Sequence, residues 1–525
     1  MRTLLIFALT LLLIAPSFGQ NQNISVGNVF DGEPYLSINP NNSQHIVVAW
    51  MGWKQNNRLV IKTKVSFDGG QNWSVTNNLP HTISAYTSAD VSLEFDNNGN
   101  VYASYIDFTG YDVSPLNGGI FVCKSTDSGL TWGNPIEVIT LNSDTNKNPI
   151  DRPWISIDQS SGVNQGNIYI TSMNAKGATA DYNPYLMVST DGANSFNQWR
   201  YLDTTNWLAG SYIPQPMPTN CVSANGTFYA VYPSYVPSQS LYAQFILASS
   251  TDGGNSLSHN SIFLSATSVT DSLAKTGYLI RANPADANHL VFFYLDVTYG
   301  DIDVFMREST DAGVSWSTAT RINDDPIANN RMQDLLWADF DNDGDLLVSW
   351  RDRRNETDST YTTSSEIWGA VRSKDSTNFS TNFQLSDNAV AYDTILAFSG
   401  NDFMCIKLVD DTLNAVWGDT RNGKLNIWYQ RMSMTGVLLS TQQLSSEYIS
   451  DIRIFPNPST SSVTIKGRNL NKVVIISESG KVMLIKQGLN GIENLVVNLS
   501  DLSKGIYFVQ VTTSKGIIIK KIIKY

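Results

Sequence analysis

Short runs of apolar and β-branched residues recur along most of the chain, separated by turns rich in Ser, Asn, Asp and Gly. Residues 34–39 form one such run, and residues 45–50 form the next after a turn. Residues 289–294 repeat the second run closely, so that His45 and His289 share one position of a repeat. Runs of this length between turn residues are typical of strands and too short for helices. We therefore predict an all-β protein in which both histidines are structural.

A short phrase follows the strands of each repeat, and its first copy runs from Ser66 through Asp68 and Gly70 to Trp73. Successive copies are 59 to 64 residues apart, measured from Asp to Asp. A fixed period of this length predicts one supersecondary unit that is repeated. The Asp can accept hydrogen bonds from backbone N–H groups of the turn, and the Gly tolerates a positive φ. We therefore interpret the aspartates of the six copies as structural. They are Asp68, Asp127, Asp191, Asp252, Asp311 and Asp375.

One more unit follows the sixth copy. Residues 403–408, 413–417 and 425–429 read as three strands, and Ser433-Met-Thr-Gly436 stands where the phrase is due. This gives seven four-stranded units between about residues 30 and 445. A count of six units is the alternative. The residues before Glu33 could also supply the missing strand of the last unit.

The six copies of the phrase resemble the Asp-box (BNR) repeats of sialidase-like β-propellers. The resemblance implies four-stranded blades arranged radially around a central pocket, an arrangement that leaves only short protected sheet edges. It also implies that the phrase lies on the rim away from the pocket. Sialidases have six blades, so a count of seven departs from that pattern.

The amino terminus has the pattern of a secretory signal. Arg2 supplies the positive charge, residues 4–14 form the apolar stretch, and Ser17-Phe-Gly19 fits a cleavage site. The stretch is too short to span a membrane, and no later segment approaches the required length. We expect residues 1–19 to be removed during export.

The carboxyl terminus has a different character. It opens with Pro456-Asn457-Pro458, continues through Gly480-Lys-Val482 and residues 502–507 (Leu-Ser-Lys-Gly-Ile-Tyr), and ends in a Lys-rich apolar stretch. These phrases are very similar to the C-terminal sorting domain of the Bacteroidetes type IX secretion system. The resemblance implies export to the outer-membrane surface or the medium, with the secretion machinery as a partner. Alternating short strands predict a small Ig-like β-sandwich. We divide the chain into residues 1–19, 20–445 and 446–525.

Charge changes at the same boundary. Residues 451–525 contain 11 Lys and Arg against 4 Asp and Glu, so this segment carries +7 while the whole chain carries −12. The remaining body is therefore at −19, which argues against a nucleic-acid partner. The three cysteines (Cys123, Cys221 and Cys405) are widely spaced, and we expect buried thiols without disulfides or zinc.

Propeller topology predicts where chemistry could occur. The loops between blades, and those between the second and third strands of a blade, line the pocket mouth. Glu33, Asp90 and Asp151 are candidate catalytic carboxylates at such positions. The candidate ligand-binding residues are Arg152, Arg331, Asp334, Asp352, Arg353, Asp419 and Arg421.

Two of these loops share a pattern, with Asp352 two residues after Trp350 and Asp419 two residues after Trp417. An arginine follows each aspartate two residues later. Arginine forks suit the carboxylates of sialic or uronic acids. The alternative is a salt bridge between blades that repeats with the unit.

The catalytic pattern of sialidases is incomplete. Their first substrate-binding arginine lies in an early Arg-Ile-Pro phrase, whereas this chain has Asp31-Gly-Glu33-Pro34-Tyr35 at that place. The Tyr nucleophile and its paired Glu cannot be assigned either. Glycoside hydrolysis by two carboxylates needs a defined distance across a pocket, and a sequence does not show it.

A metal site is suggested by the alternating carboxylates Asp339, Asp341 and Asp343, which suit calcium. The alternative is an ordinary hairpin turn, because no Glu follows at EF-hand spacing. We expect no other cofactor.

Three functions therefore stay open. The first is a surface-displayed or secreted propeller that binds a glycan or protein ligand without catalysis. The second is a glycan-active enzyme, such as an exo-sialidase-like hydrolase. The third is a structural scaffold. The fold alone does not decide among them.

Overall fold

The computed structural model describes residues 21–54, 58–110, 116–175, 178–179, 181–203, 217–234, 244–264, 277–357, 363–391, 401–436, 452–477, 482–513 and 516–525. The predicted signal segment, the proposed domain junction near residue 446 and the Gly480-Lys481 turn lie outside these ranges. All regular elements in the described ranges are strands, as predicted. These ranges contain no helix that is long and apolar enough to cross a membrane.

Seven antiparallel sheets form the larger unit, Gln20–Leu438. Blade 1 contains β2 (Asp31–Asn39), β3 (Asn42–Lys54), β4 (Arg58–Ser66) and β5 (Asn77–Asn78). Blade 2 contains β6 (Thr87–Phe95), β7 (Val101–Phe108), β8 (Gly118–Ser125) and β9 (Ile136–Thr140). Blade 3 contains β10 (Asp151–Ile157), β11 (Ile168–Met173), β12 (Pro184–Ser189) and β13 (Arg200–Tyr201). Blade 4 contains β14 (Thr219–Val222), β15 (Phe228–Ser234), β16 (Gln244–Ser250) and β17 (Ser258–Leu264).

Blade 5 contains β18 (Tyr278–Ala282), β19 (Leu290–Asp296), β20 (Asp303–Ser309) and β21 (Thr320–Arg321). Blade 6 contains β22 (Gln333–Phe340), β23 (Leu346–Asp352), β24 (Ser364–Arg372) and β25 (Phe383–Gln384), with β26 (Val390–Ala391) also paired to β24. Blade 7 contains β27 (Cys405–Val409), β28 (Thr412–Asp419) and β29 (Asn426–Ser433). The first strand of each blade contacts the first strand of the next, and β27 contacts β2, so the seven blades form a closed ring. We call these first strands the inner strands.

The last blade is completed by the beginning of the chain. β1 (Gln22–Asn23) pairs antiparallel with β29, as the fourth strand of blade 7. The buried Asn21 side chain extends this closure, donating to the Leu385 carbonyl at 3.1 Å and accepting from Arg421 at 3.0 Å. The count of seven is thus confirmed, and the residues before Glu33 do complete the last unit.

Five of the repeated phrases form one kind of turn, which we call the Ser–Asp turns, at Ser66, Ser125, Ser189, Ser250 and Ser309. In each, the serine hydroxyl donates to the Asp carboxylate two residues later and accepts from the N–H four residues later, at 2.7–3.0 Å. The carboxylate also accepts from the N–H four residues beyond itself. These turns join the third and fourth strands of their blades. At the sixth copy, Asp375 is exposed, and the Ser373 carbonyl accepts from the N–H of Ser376.

The smaller unit carries the C-terminal segment. It contains a five-stranded sheet of β30 (Arg453–Phe455), β31 (Ser462–Ser477), β32 (Val482–Asn498), β33 (Gly505–Thr513) and β34 (Gly516–Lys524). β31 pairs with β30, β32 and β33, and β34 lies at the edge beyond β33. The segment after β30 returns to β34, where Asn457 both donates to Lys521 and accepts from Ile523. The Pro-Asn-Pro phrase therefore joins the two ends of this sheet.

Candidate functional site

Backbone bulges bring charged side chains to one mouth of the central channel. The inner strands β2, β6 and β10 each lose register with their neighbour shortly after they begin. Glu33, Asp90 and Arg152 lie within these irregularities with φ of 55°, 51° and 50°. Left-handed backbone is uncommon for non-glycine residues, and a bulge re-aims the side chain it carries. Three successive blades thus present one charged residue each at the same level.

The structure brings the predicted catalytic candidates together around Arg152. The Nη2 of Arg152 donates to Asp402 Oδ2 at 2.5 Å, and its backbone N–H donates to Asp90 Oδ2 at 3.3 Å. Asp151 and Glu33 also interact electrostatically with this guanidinium. We call these five residues the mouth cluster. It contains four carboxyl groups and one positive charge.

Two carboxyl groups of the mouth cluster have a raised pKa. Burial raises the pKa of Glu33 well above its ordinary value, and the neighbouring Asp90 and Asp402 raise it further. Burial and Asp90 likewise raise the pKa of Asp151, against the opposing effect of Arg152. A hydrogen bond with the Asp90 side chain contributes to both shifts. Burial and the neighbouring carboxyl groups therefore both favour the neutral form of Glu33 and of Asp151.

An aromatic group closes the channel beneath the mouth cluster. The rings of Tyr35, Trp154, Trp337 and Phe403 pack together with centroid separations of 5.1–6.5 Å. They come from four blades and are all buried. This aromatic plug forms the floor of the mouth and separates it from the other end of the channel.

All the other ligand-binding candidates except Arg331 are engaged in ion pairs within or between blades. Arg351 grips Asp334 through Nε at 2.6 Å and Nη2 at 2.5 Å, and the fully buried Arg353 lies 3.4 Å from the same carboxylate. The backbone N–H of Arg331 donates to Asp301 Oδ2 at 2.9 Å, and its guanidinium donates to the Asn330 carbonyl at 2.9 Å.

The two matching loops have matching contacts. Trp350 donates to Asp352 at 2.6 Å and Trp417 donates to Asp419 at 2.9 Å. Arg354 binds Asp352 and also Asp324 of the preceding blade. In the same way, Arg421 binds Asp419 and also Asp387 of the preceding blade. The repeated loops therefore build repeated salt bridges between blades, the second of the two interpretations given above.

The three carboxylates that suggested calcium have separate partners. Asp339 faces Lys407 at 3.5 Å, Asp341 accepts from the Asp411 N–H at 2.9 Å, and Asp343 pairs with Lys374 at 2.6 Å. Within the described ranges no group of three or more His, Cys, Asp or Glu residues is arranged to hold a metal ion. Calcium therefore gains no support from this turn.

Sequence reasoning missed Asp402 and its neighbour Asn401. Asn401 Oδ1 accepts from the Glu33 N–H at 3.2 Å, and its Nδ2 donates to the Gly418 carbonyl at 3.0 Å, which fixes the bulge of β2 against blade 7. Both residues precede the inner strand β27, the same kind of position that identified Asp90. The sequence signal is a polar residue near the start of an inner strand, and in blade 7 this signal points to Asn401 and Asp402.

Comparison with protein families finds one match, confined to the tail. Residues 453–525 match the model of the secretion system C-terminal sorting domain. Among curated proteins, no relative matches this chain.

Several solved structures are similar to the chain at low identity. A protein of unknown function from Dyadobacter fermentans is 15% identical, with 67% of this chain and 99% of that chain covered and a TM-score of 0.41. The NanB sialidase from Streptococcus pneumoniae is 11% identical, with 80% and 70% covered and a TM-score of 0.41. An α-L-arabinanase from Penicillium chrysogenum is 13% identical, with 81% and 100% covered and a TM-score of 0.44.

The matched tail settles the destination of the protein. A sorting domain of this type directs export through the type IX secretion system to the cell surface or the medium. The seven-bladed propeller is the part of the chain that is delivered there.

Proposed function

We propose that the exported propeller binds an uncharged glycan at the mouth cluster. The observation that carries this proposal is the convergence of Glu33, Asp90, Asp151 and Asp402 on a single arginine. Carboxylates accept hydrogen bonds from sugar hydroxyl groups, and a mouth lined by several of them offers acceptors at fixed positions. Bulged inner strands hold those acceptors rigidly, which favours selective binding.

The charge of the mouth cluster selects against acidic sugars. Arg152 is the one cation of the cluster, and Asp402, Asp151, Asp90 and Glu33 all act on it. A ligand carboxylate would have to compete with these groups and approach a net negative site. Sialic and uronic acids are therefore disfavoured, and neutral sugars are the better ligands.

Binding to a panel of neutral and sialylated glycans, with residues 20–525 as the probe protein, tests this proposal. We expect signals from neutral glycans and at least a tenfold loss in Asp90→Asn, about the effect of removing one charge-assisted hydrogen-bond acceptor. Asp375→Asn is the matched control, because Asp375 is exposed on a turn at the opposite rim. Binding confined to sialylated glycans, or full binding by Asp90→Asn, would contradict the proposal.

Hydrolysis of a glycosidic bond is the second candidate, favoured by the raised pKa of Glu33 and Asp151 beside other carboxylates. A protonated carboxyl next to an ionised one is the arrangement that glycosidases use for general acid catalysis. Mass-spectrometric product analysis with the same glycans distinguishes the two functions. If the protein is an enzyme, Glu33→Gln or Asp151→Asn lowers the rate by roughly 10²–10⁴-fold. Recovery of intact glycans from the bound complex would contradict hydrolysis and leave binding as the remaining function.

A further inference from the structure

The end of the channel opposite the mouth cluster contains a second polar cavity of about 400 Å³. Its charged lining residues are Glu94, Arg281, Asp339 and Lys407. Each lies one or two residues before the end of an inner strand, in blades 2, 5, 6 and 7 respectively. The cavity therefore opens on the face that carries the turns between first and second strands.

The aromatic plug separates this cavity from the mouth cluster. Tyr35 belongs to both, since it packs in the plug and also lines the cavity. Burial raises the pKa of its phenol, and Arg281, Lys407 and Glu94 all act on it electrostatically. The cavity is thus a separate chamber, with its own charges on one side of the plug.

The four charges of the cavity balance one another. Lys407 Nζ lies 3.5 Å from Asp339 Oδ1, longer than a well-formed hydrogen bond between these groups. Burial opposes the charge on Lys407, but Asp339 and Glu94 outweigh it, so the pKa of the ammonium is raised. Burial raises the pKa of Glu94, and Lys407 counteracts that shift. Burial also raises the pKa of Asp339, against the opposing effects of Lys407 and Arg281. The chamber thus contains two basic and two acidic side chains that line one cavity.

Arg281 is fixed in place by contacts that leave part of its guanidinium available. Nε donates to the Ala338 carbonyl at 2.8 Å and Nη1 to the Ile280 carbonyl at 2.9 Å. The guanidinium carbon lies 5.4 Å from the centre of the Trp337 ring. Nη2 forms no hydrogen bond with the residues that the structure describes. A rigid cation with unused donors is suited to a carboxylate.

We propose that this chamber binds a small zwitterion with a free carboxylate and a free ammonium group, such as an α-amino acid or a dipeptide. The ligand carboxylate pairs with Arg281 and Lys407, and its ammonium group pairs with Glu94 and Asp339. The volume lies within the range of small-molecule sites. A ligand with a single charge can pair with only the cationic or only the acidic side chains of the chamber, whereas a zwitterion supplies a partner for both kinds.

Isothermal titration calorimetry with residues 20–525 tests the inference, with L-alanine and alanylalanine as probes. N-acetyl-L-alanine keeps only the carboxylate and L-alaninamide keeps only the ammonium group. We expect at least one of the zwitterions to bind, and each singly charged analogue to bind at least tenfold more weakly. These comparisons use the unmodified protein, so they do not depend on whether a variant folds.

Two variants locate the binding. Glu94→Gln removes one partner of the ligand ammonium group and should weaken zwitterion binding about tenfold. Asp90→Asn lies beyond the plug and should leave zwitterion binding unchanged while it reduces glycan binding. A failure of the zwitterion site can therefore be distinguished from a failure of the proposed glycan site. Equal binding of alanine and its N-acetyl derivative, or no binding of either zwitterion by folded protein, would overturn the inference.

Discussion

Single carboxyl groups in this propeller are held in two opposite ways. At the mouth cluster, burial and like charges raise the pKa of Glu33 and Asp151. In the Ser–Asp turns, hydrogen bonds from Ser256 to Asp252 and from Ser195 to Asp191 lower the pKa of each carboxyl to about 2. The surroundings of the mouth cluster oppose ionisation of these carboxyl groups. The hydrogen bonds of the Ser–Asp turns instead stabilise the ionised carboxylate. Their contributions to stability therefore change with pH in opposite directions.

Glu33→Gln should stabilise the protein at neutral and alkaline pH. A carboxyl whose pKa is raised on folding contributes stability at pH values below its unfolded pKa, and this contribution is lost as pH rises through the folded value. Glutamine cannot ionise and avoids that loss, so we expect a gain of about 1–3 kcal/mol, the usual cost of an uncompensated buried group. Chemical denaturation at pH 4 and pH 8 measures it. A gain that is the same at both pH values would show that ionisation of Glu33 is not responsible.

At the scale of elements, each Ser–Asp turn is a self-contained hydrogen-bonded unit between a third and a fourth strand. In blade 4, the Ser250 hydroxyl accepts from the Gly254 N–H at 2.8 Å and donates to Asp252 at 2.8 Å. Ser250 is buried although Asp252 is exposed. The serine thus connects the buried end of the strand to the exposed turn.

Ser250→Ala should lower the free energy of unfolding by about 1–2 kcal/mol, because it leaves the Gly254 N–H without its acceptor. Ser84→Ala, at an exposed position, is the control. The lowered pKa of Asp252 means that the contribution of this turn is present above the unfolded pKa and lost as pH falls toward 2. In denaturation curves, the difference in stability between variant and parent should therefore shrink from pH 6 to pH 2, and the part that is due to the unpaired Gly254 N–H should remain. Parallel curves would show that the carboxylate takes no part.

Ring closure depends on the buried Asn21 side chain, which bonds both blade 6 and blade 7. Asn21→Ala should reduce stability by roughly 1–3 kcal/mol, since it leaves several buried groups unpaired. The exposed Asn28 supplies the control substitution to alanine. Hydrogen exchange of β29 is the more specific readout, and we expect faster exchange there than in blades 2 to 5. Unchanged exchange of β29 would mean that closure does not require Asn21.

At the scale of the whole molecule, the propeller and the tail have opposite charge and different tasks. The tail carries +7 within a chain of −12, and residues 453–525 match a secretion sorting domain. The propeller contains both the mouth cluster and the second chamber. Delivery therefore belongs to the tail, and both binding functions that we propose belong to the propeller.

Removal of residues 453–525 should retain the propeller in the periplasm. The deletion removes the sorting domain and no described strand of the propeller. Cell fractionation with an antibody against the propeller measures the distribution, and the same chain with Asp375→Asn, which keeps the tail, is the control for export. Normal surface appearance of the truncated chain would contradict the role of the tail.

Much of this architecture could be predicted from sequence because the repeat is long, regular and marked by the Ser–Asp turns. The identity of the fourth strand in blade 7 could not be decided, since Gln22 and Asn23 are too few to show a hydrophobic period. The positions of Glu33, Asp90 and Asp151 at the pocket mouth follow from topology alone, whereas their convergence on Arg152 depends on the bulges of the inner strands. Asp334 pairs with Arg351 across neighbouring strands, a contact that depends on the register at a bulge.

The second chamber could not be anticipated from sequence for a different reason. Glu94, Arg281, Asp339 and Lys407 lie far apart in the chain, and each follows or precedes ordinary strand residues. Their proximity results from the radial arrangement of blades 2, 5, 6 and 7.

The pairing of β1 with β29 places the first described strand of the chain against one of the last strands of the propeller. The Asn21–Gln430 hydrogen bond spans 409 residues of sequence. Contacts of such high order form late in folding, because the loop they close has the largest entropic cost. A nascent chain that has not yet delivered blade 7 leaves its own first strand unpaired. The ring can therefore close only after synthesis has passed β29, so a chain truncated within blade 7 cannot complete the propeller.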